Sequence, residues 1–459
     1  MSDIVRILDI ARQALQAHQS AMNTASNNIA NVNTPGYSRQ RINLSSSKSV
    51  QTQNGPLGTG VRVDGVERIR DAFIDKQLLN ERPSMHQFRF ESEALHFIEE
   101  IFNEPSDFGL TRKLEDFFNS FHDLANDPES AAVRTVVREK AVTLTNGFQQ
   151  VHRQLSNYRN DLNFELEDQV NEINRIVGQV ANINQKVVDL EVNGHQAAGL
   201  RDQRDKLVDE LAELVDVQTY TTTSGAMNVY VGGRYLVTDS SHDELSLTVQ
   251  SASDPGAVVT FARDGAEATI SDGSLRGLLD IRDSHLESYL GTLNELAVSI
   301  ATEINAIHAT GYNLEDVTGI NFFDTGVSGA DDFEVAAAIL SDSGLIATSA
   351  AIGEPGNNNI ARAIADLQDV KVLKGNTATF NDFYNSLLAT VGSQTLQADF
   401  QSDSFELTVQ KLEFSRDSVS AVSLDEEMTH LIEAQTAFTA ASRVVTTVNE
   451  MTNTILSMV

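Results

Sequence analysis

Between Ala434 and Met458, the positions Ala434, Ala437, Ala441, Val444, Val448, Met451, Ile455 and Met458 step by threes and fours. That spacing keeps one face of a helix turned towards a partner helix. Leu431, Phe438 and Val445 form a second row beside the first. Thr, Ser, Asn and Glu take the opposite side, so the helix is amphipathic and its stripe needs a cover. Neither Pro nor Gly interrupts it, and Leu424-Asp425-Glu426-Glu427 puts acid in the first turns, where the helix dipole favours negative charge. Residues 3–33 repeat the arrangement with Leu8, Ala11, Leu15, His18, Met22, Ala25, Ile29 and Val32. This helix must stop near Asn33, because Thr34 precedes Pro35 and Gly36 follows. Two such helices at opposite ends of one chain pair most simply with each other and with neighbouring copies.

Between them, Arg41-Ile42-Asn43-Leu44 and residues 60–66 alternate around the Asn54-Gly55-Pro56 turn region, which predicts a hairpin arm. Helices are expected over 86–103 and 108–125, the latter on the stripe Leu110, Leu114, Phe117, Phe121 and Leu124. From Val133 to Leu190 apolar residues recur every three or four places. A helix of that length would span about 87 Å at 1.5 Å per residue. Asn146-Gly147 is the expected kink and Asn193-Gly194 the stop. Another helix covers 200–215. Residues 216–275 then turn rich in Thr, Val, Tyr and Gly, with hairpins predicted for 229–231 with 235–237 and for 258–261 with 268–270. Helix resumes from Leu275 to His308, two short strands are expected within 312–358, and helices return at 360–373 and from Phe380 to the end, broken near Ser420.

The expected fold is therefore mainly α with a small β insertion. Residues 1–34 and 424–459 form a terminal coiled-coil domain. Residues 35–215 and 276–423 form a long-helix bundle with its β-hairpin, and 216–275 an outer β domain.

Composition narrows the chemistry. A net charge of −32 argues against nucleic acid as a partner and for a self-repelling surface. No apolar run reaches the length of a membrane span, so no membrane insertion is expected. Asp3, Arg6, Asp9 and Arg12 stand where a signal peptide needs an unbroken apolar segment, which argues against general secretory export. With no Cys and scattered His, no thiolate or paired-His metal site is predicted. His18 reads as a seam-edge residue. Asp324-Thr325-Gly326 looks like an aspartic-protease triplet but has no second copy, and no GxSxG elbow occurs. Gly55, Gly58 and Gly60 lack the Lys-Ser/Thr of a phosphate loop. No catalytic residue and no cofactor are expected.

Asn27-Asn28-Ile29-Ala30-Asn31-Val32-Asn33-Thr34-Pro35-Gly36-Tyr37-Ser38-Arg39-Gln40 resembles the N-terminal signature of bacterial flagellar rod, hook and hook-associated proteins. Ser38-Arg39-Gln40, residues 57–61, Leu200-Arg201-Asp202-Gln203-Arg204-Asp205, Leu424-Asp425-Glu426-Glu427 and the C-terminal seam resemble the hook-associated members in particular. The resemblance implies a structural subunit of the hook–filament junction, outside the cell, exported by the flagellar type III apparatus. Its implied partners are copies of itself in a ring, the hook protein, a second junction protein, and an export chaperone on the C-terminal region. Assembly contacts are expected at Leu8, Leu15, Met22, Asn28, Ile29, Asn31, Pro35, Gly36, Tyr37 and Arg39, and at Leu431, Phe438, Val444, Val448, Met451 and Ile455. A second junction protein, another axial subunit and a cytosolic coiled-coil scaffold are the alternatives. The heptads alone would suit the scaffold, but not the TPGY exit or the β insert.

Overall fold

A computed structural model of the chain describes residues 2–52, 55–106, 108–192, 196–249 and 256–457. Asn54, Asn193, Gly194 and Met458, named above as turn, stop and seam residues, lie outside these. The protein is mainly α with a small β insertion. Helix α1 (Ser2–Ala30) leads into strands β1 (Gln40–Ser46), β2 (Val50–Thr52), β3 (Gly55–Leu57) and β4 (Val61–Arg68). β1 and β4 pair antiparallel, with a bulge at Asn43/Leu44, and β2 pairs with β3 towards the tip.

Helices α2 (Ala72–Phe102), α3 (Leu110–Asn126), α4 (Ala131–Glu191) and α5 (Ala198–Leu214) follow. α4 is continuous over 61 residues, about 92 Å at 1.5 Å per residue. Asn146-Gly147, the expected kink, does not interrupt the helix. Gly147 is buried where α3 crosses, and a Cβ there would meet Leu110 and Lys113 side chains within 3 Å. α2 begins fourteen residues before the expected 86, capped by Asp71, and runs through Pro83. Pro usually breaks a helix, but here the residue is buried within a helix that continues on both sides of it.

The insertion holds β5 (Gln218–Thr221), β6 (Met227–Val231), β7 (Arg234–Thr238) and β8 (Ser241–His242) as a meander, and β9 (Leu245–Val249) with β10 (Ala257–Phe261) as a ribbon. The 229–231/235–237 hairpin forms as predicted. The second hairpin does not: β10 pairs with β9 from Ala257↔Val249 to Phe261↔Leu245, leaving only a Thr260↔Glu267 bridge on its other side. Side chains of α4 hold both sheets. Asn174 donates to Leu245 O at 2.8 Å and accepts from Leu245 N at 2.7 Å, replacing a strand neighbour. Asn184 does the same for Met227, at 2.7 and 2.9 Å.

α6 (Ser274–Asp280) passes through a π-turn into α7 (Leu286–His308). The segment 312–358 contains no strands among the described residues. It makes two isolated bridges, Tyr312↔Ser349 and Phe323↔Val335, and one short helix, α8 (Ala337–Ser341). Buried side chains impose its course. Asn305 caps Phe322 N and Phe323 N, and neutral His308 accepts from Ala347 N at 2.8 Å while its other ring nitrogen faces Ile320 O at 2.7 Å. Burial pushes His308 down to about 4, so it stays uncharged. Phe322, Phe323 and Phe333 then join Phe117, Phe121 and Phe148 in one aromatic cluster. Helices α9 (Asn359–Asp366), α10 (Phe380–Ser420) and α11 (Leu424–Ser457) complete the chain. α10 lies along α2, and α11 lies antiparallel to α1, among the described residues its only helical partner of any extent.

Two outcomes follow from α2. A Cβ on Gly277 of α6 would stand 2.7 Å from Gln87 O, so Gly277→Ala should cost about 1–3 kcal/mol in urea unfolding despite better helix propensity. Glu91 is buried, and burial raises its pKa to about 7. Its folded value lies above the unfolded one, so its contribution is fully present below about 4.5 and is lost as pH rises through about 7. Glu91→Gln should therefore raise the unfolding midpoint at pH 8 and leave it unchanged near pH 4.

Candidate functional site

The chain leaves α1 through turns at Asn31–Asn33 and enters β1 at Gln40. Asn31 secures the helix end, donating to Asn27 O at 2.9 Å and accepting from the Thr34 hydroxyl at 3.2 Å. Gly36 takes φ +79°, a left-handed conformation that favours glycine. The fold back brings Tyr37, Arg39 and Gln40 alongside Asn28. Asn28 is fully buried and uses all of its hydrogen-bonding capacity. Its amide nitrogen donates to Gln40 O (2.8 Å) and to Glu427 Oε2 (2.9 Å). Its oxygen accepts from Tyr37 OH (2.8 Å) and Gln40 N (3.0 Å). Burial, with Asp202 and Glu427 nearby, pushes the Tyr37 phenol up to about 12, which keeps it a donor.

Glu427 opens α11 and is itself buried. Arg39 Nε donates to it at 2.7 Å, while the Arg39 fork also reaches Glu426 at 2.6 Å. Arg39 N donates to Ser420 O at 2.9 Å, tying the same residue to the end of α10. The acid at the start of α11 therefore does more than face the helix dipole: it closes a buried clasp between the two chain ends.

The clasp meets the body on α5. Asp202 accepts from Ser38 N (3.3 Å) and from Arg68 (2.9 Å), and Asp205 accepts from Arg68 (2.7 Å) and Arg70 (2.5 Å). Asp209, one turn on, faces Arg82 of α2 and Arg416 of α10 at 3.3 and 3.1 Å. The two arginines of the same segment turn inward. Arg201 pairs with Glu191 (2.6 Å), and Arg204 donates to Gly225 O (2.7 Å) and Asn184 Oδ1 (3.1 Å). Three separated stretches noted in the sequence (38–40, 200–205, 424–427) thus converge on one polar joint. Its remaining members, Arg68, Arg70, Arg82, Asp209 and Arg416, were not foreseen. Spacings of three and four place Asp202, Asp205 and Asp209 on one α5 face, a legible signal, but their arginine partners come from three other elements.

Leu8, Leu15, Met22 and Ile29 are half-buried on α1, as are Leu431 and Phe438 on α11. Asn31, Tyr37 and Arg39 are half-buried, and Pro35 and Gly36 exposed. Val448 is buried together with Ala434 and Ala441. Val444, Met451 and Ile455 are 43%, 50% and 45% exposed. The C-terminal helix therefore carries two overlapping seams that share the Ala434–Ala441–Val448 row. α1 covers the one completed by Leu431, Phe438 and Val445. The one completed by Val444, Met451 and Ile455 stays open. Among the described residues no group of three or more His, Cys, Asp or Glu could hold a metal ion, and no helix is long and apolar enough to cross a membrane.

Comparison with known proteins covers all of these regions. Residues 95–323 match the flagellar hook-associated protein FlgK helical domain, 8–37 the flagella basal body rod protein, and 416–458 the flagellar basal body rod FlgEFG protein C-terminal region. Flagellar hook-associated protein 1 of Bacillus subtilis (strain 168) is 29% identical, across 98% of this chain and 97% of that one. The Salmonella typhimurium protein of the same name is 27% identical, across 98% and 99%. The chain belongs to the flagellar hook-associated protein family. Its fold matches the flagellar hook junction protein FlgK from Burkholderia pseudomallei with a TM-score of 0.67 at 15% identity, over 75% of this chain and 100% of that one.

As a flagellar axial component of this family, the protein pairs its chain ends through one buried amide and one buried carboxylate. Removing Asn28 leaves Glu427, Tyr37 OH and both Gln40 backbone groups short of partners, each worth about 1–3 kcal/mol where burial persists. Asn28→Ala should release α1 from α11 while α2–α10 keep their melting temperature. Proteolysis that cuts the variant no faster than wild type within residues 20–45 would contradict this.

Proposed function

We propose that this chain joins the flagellar hook to the filament as a ring of copies at the hook tip, and that filament growth depends on it. The observation that carries the reading is the open second seam of α11. A helix already paired with α1 presents a further apolar row, Val444, Met451 and Ile455, at coiled-coil spacing. A neighbouring copy's terminal helices supply the matching stripe, so α1 and α11 become the inner wall and the body helices and β insertion lie outside it. The polar joint sets the angle between wall and body. The partners are further copies, the hook protein on one side and a second junction protein on the other. Export through the flagellar type III apparatus, with a chaperone holding the C-terminal region, follows from the same reading. The open seam is the part most in need of a cover before assembly.

The names borne by the relatives and the fold neighbour support this reading, as does the match of both chain ends to axial-protein models. Deleting the gene should leave cells with hooks, without filaments, and with filament protein in the medium. At the residue level, Val444→Asp on the open row should abolish addition to hooks and leave the monomer's melting curve unchanged. Val448→Asp should do both kinds of damage. Amide exchange from 444 to 455 should be slower in the assembled junction than in the free monomer; an unchanged rate on assembly would sink the proposal.

A further inference from the structure

Helix α10 has a second apolar face that the body does not use. Its inner face carries Thr395, Ala398 and Val409, all buried, and Phe405 stacked on Phe88 of α2 at 5.6 Å between ring centroids. On the other side stand Leu396, Phe400, Leu407 and Phe414, which are 71%, 71%, 68% and 77% exposed. Phe400, Leu407 and Phe414 are seven residues apart, with Leu396 one turn before them. Among the described residues, no other large exposed side chains in the helical body repeat in this way.

We infer that this row is where a second copy of the chain packs beside the first, above the terminal seam. The inference rests on the ring reading given above and adds the contact that holds the bodies together. An interval of seven is the repeat at which one helix follows another, which favours a helical partner over a lipid surface. The net charge of −32 weighs against anionic lipid for the same face. Finally, two phenylalanines and two leucines so exposed offer roughly 500 Å² of apolar surface. A free-standing complex needs about 800 Å² per partner. A row of this size cannot hold a soluble partner alone, but it suffices between copies that the terminal helices already tether.

The test compares two full-length variants, added without chaperone to purified hooks, with bound protein counted per hook. The triple substitution Phe400→Ser, Leu407→Ser, Phe414→Ser should bind at least tenfold less than wild type with an unchanged monomer melting curve. Val444→Asp reports on the terminal seam. If Val444→Asp binds normally, the underlying ring reading fails. If Val444→Asp is lost while the triple variant binds like wild type, only the α10 contact is overturned. Normal binding of the triple variant together with loss of its secretion from cells would assign the row to an export partner and overturn the proposal equally. As the chain has no Cys, Leu407→Cys carrying a polarity-sensitive dye gives a second readout that tolerates partial loss of stability. Its emission should shift to the blue on assembly, and an unmoved spectrum is evidence against burial.

Discussion

The architecture depends on a buried hydrogen-bond group: Asn28, Glu427 and Arg39. Chain ends almost four hundred residues apart can be held together by an alanine-rich stripe only weakly, because small side chains bury little area. One fully satisfied amide and one buried carboxylate supply register instead of area. Their value lies in asymmetry: made, such bonds add modest stability, but any sliding of α1 along α11 strands a charge and several backbone groups. The pair is therefore selected in a single register, and the apolar rows on α11 acquire fixed directions, one inward and one outward.

From the clasp, the joint extends through Ser38 and Arg68 to the α5 aspartates, and on through Asp209 to α2 and α10. The terminal pair touches the body through this polar surface, through α1 lying along β1 and β4, and through two short connections. Its angle to the body is set by charge-assisted bonds rather than by a shared apolar core. The body itself is built the other way. α3, α4 and the 312–358 segment interlock through phenylalanines, with His308 of α7 against Phe322, and a single apolar core runs from that aromatic cluster to the β insertion. A rigid body joined through polar contacts to a slender helical pair suits a subunit whose neighbours complete its structure.

Periodicity alone made most of the helices readable. The stripe of α3, the length of α4 and the break near Ser420 are local properties, fixed by which residues recur every three or four places. The errors share one cause. Pro83 and Gly147 are helix breakers by propensity, and burial within α2 and packing of α4 against α3 overrode them. The partner of β10 and the course of 312–358 were settled by Asn174, Asn305 and His308, side chains whose mates lie far along the chain.

For the site, the sequence marked three stretches without joining them: the turn after α1, the alternating charges of 200–205, and the acidic start of α11. It also showed a second row that widens the α11 stripe into a face. Only the tertiary structure decided which half of that stripe α1 covers, which arginines face Asp202, Asp205 and Asp209, and that Glu427 is buried rather than solvated. The physical reason is range. Helical spacing is written in neighbours along the chain, whereas burial of a charge and the choice between two overlapping seams depend on contacts across it.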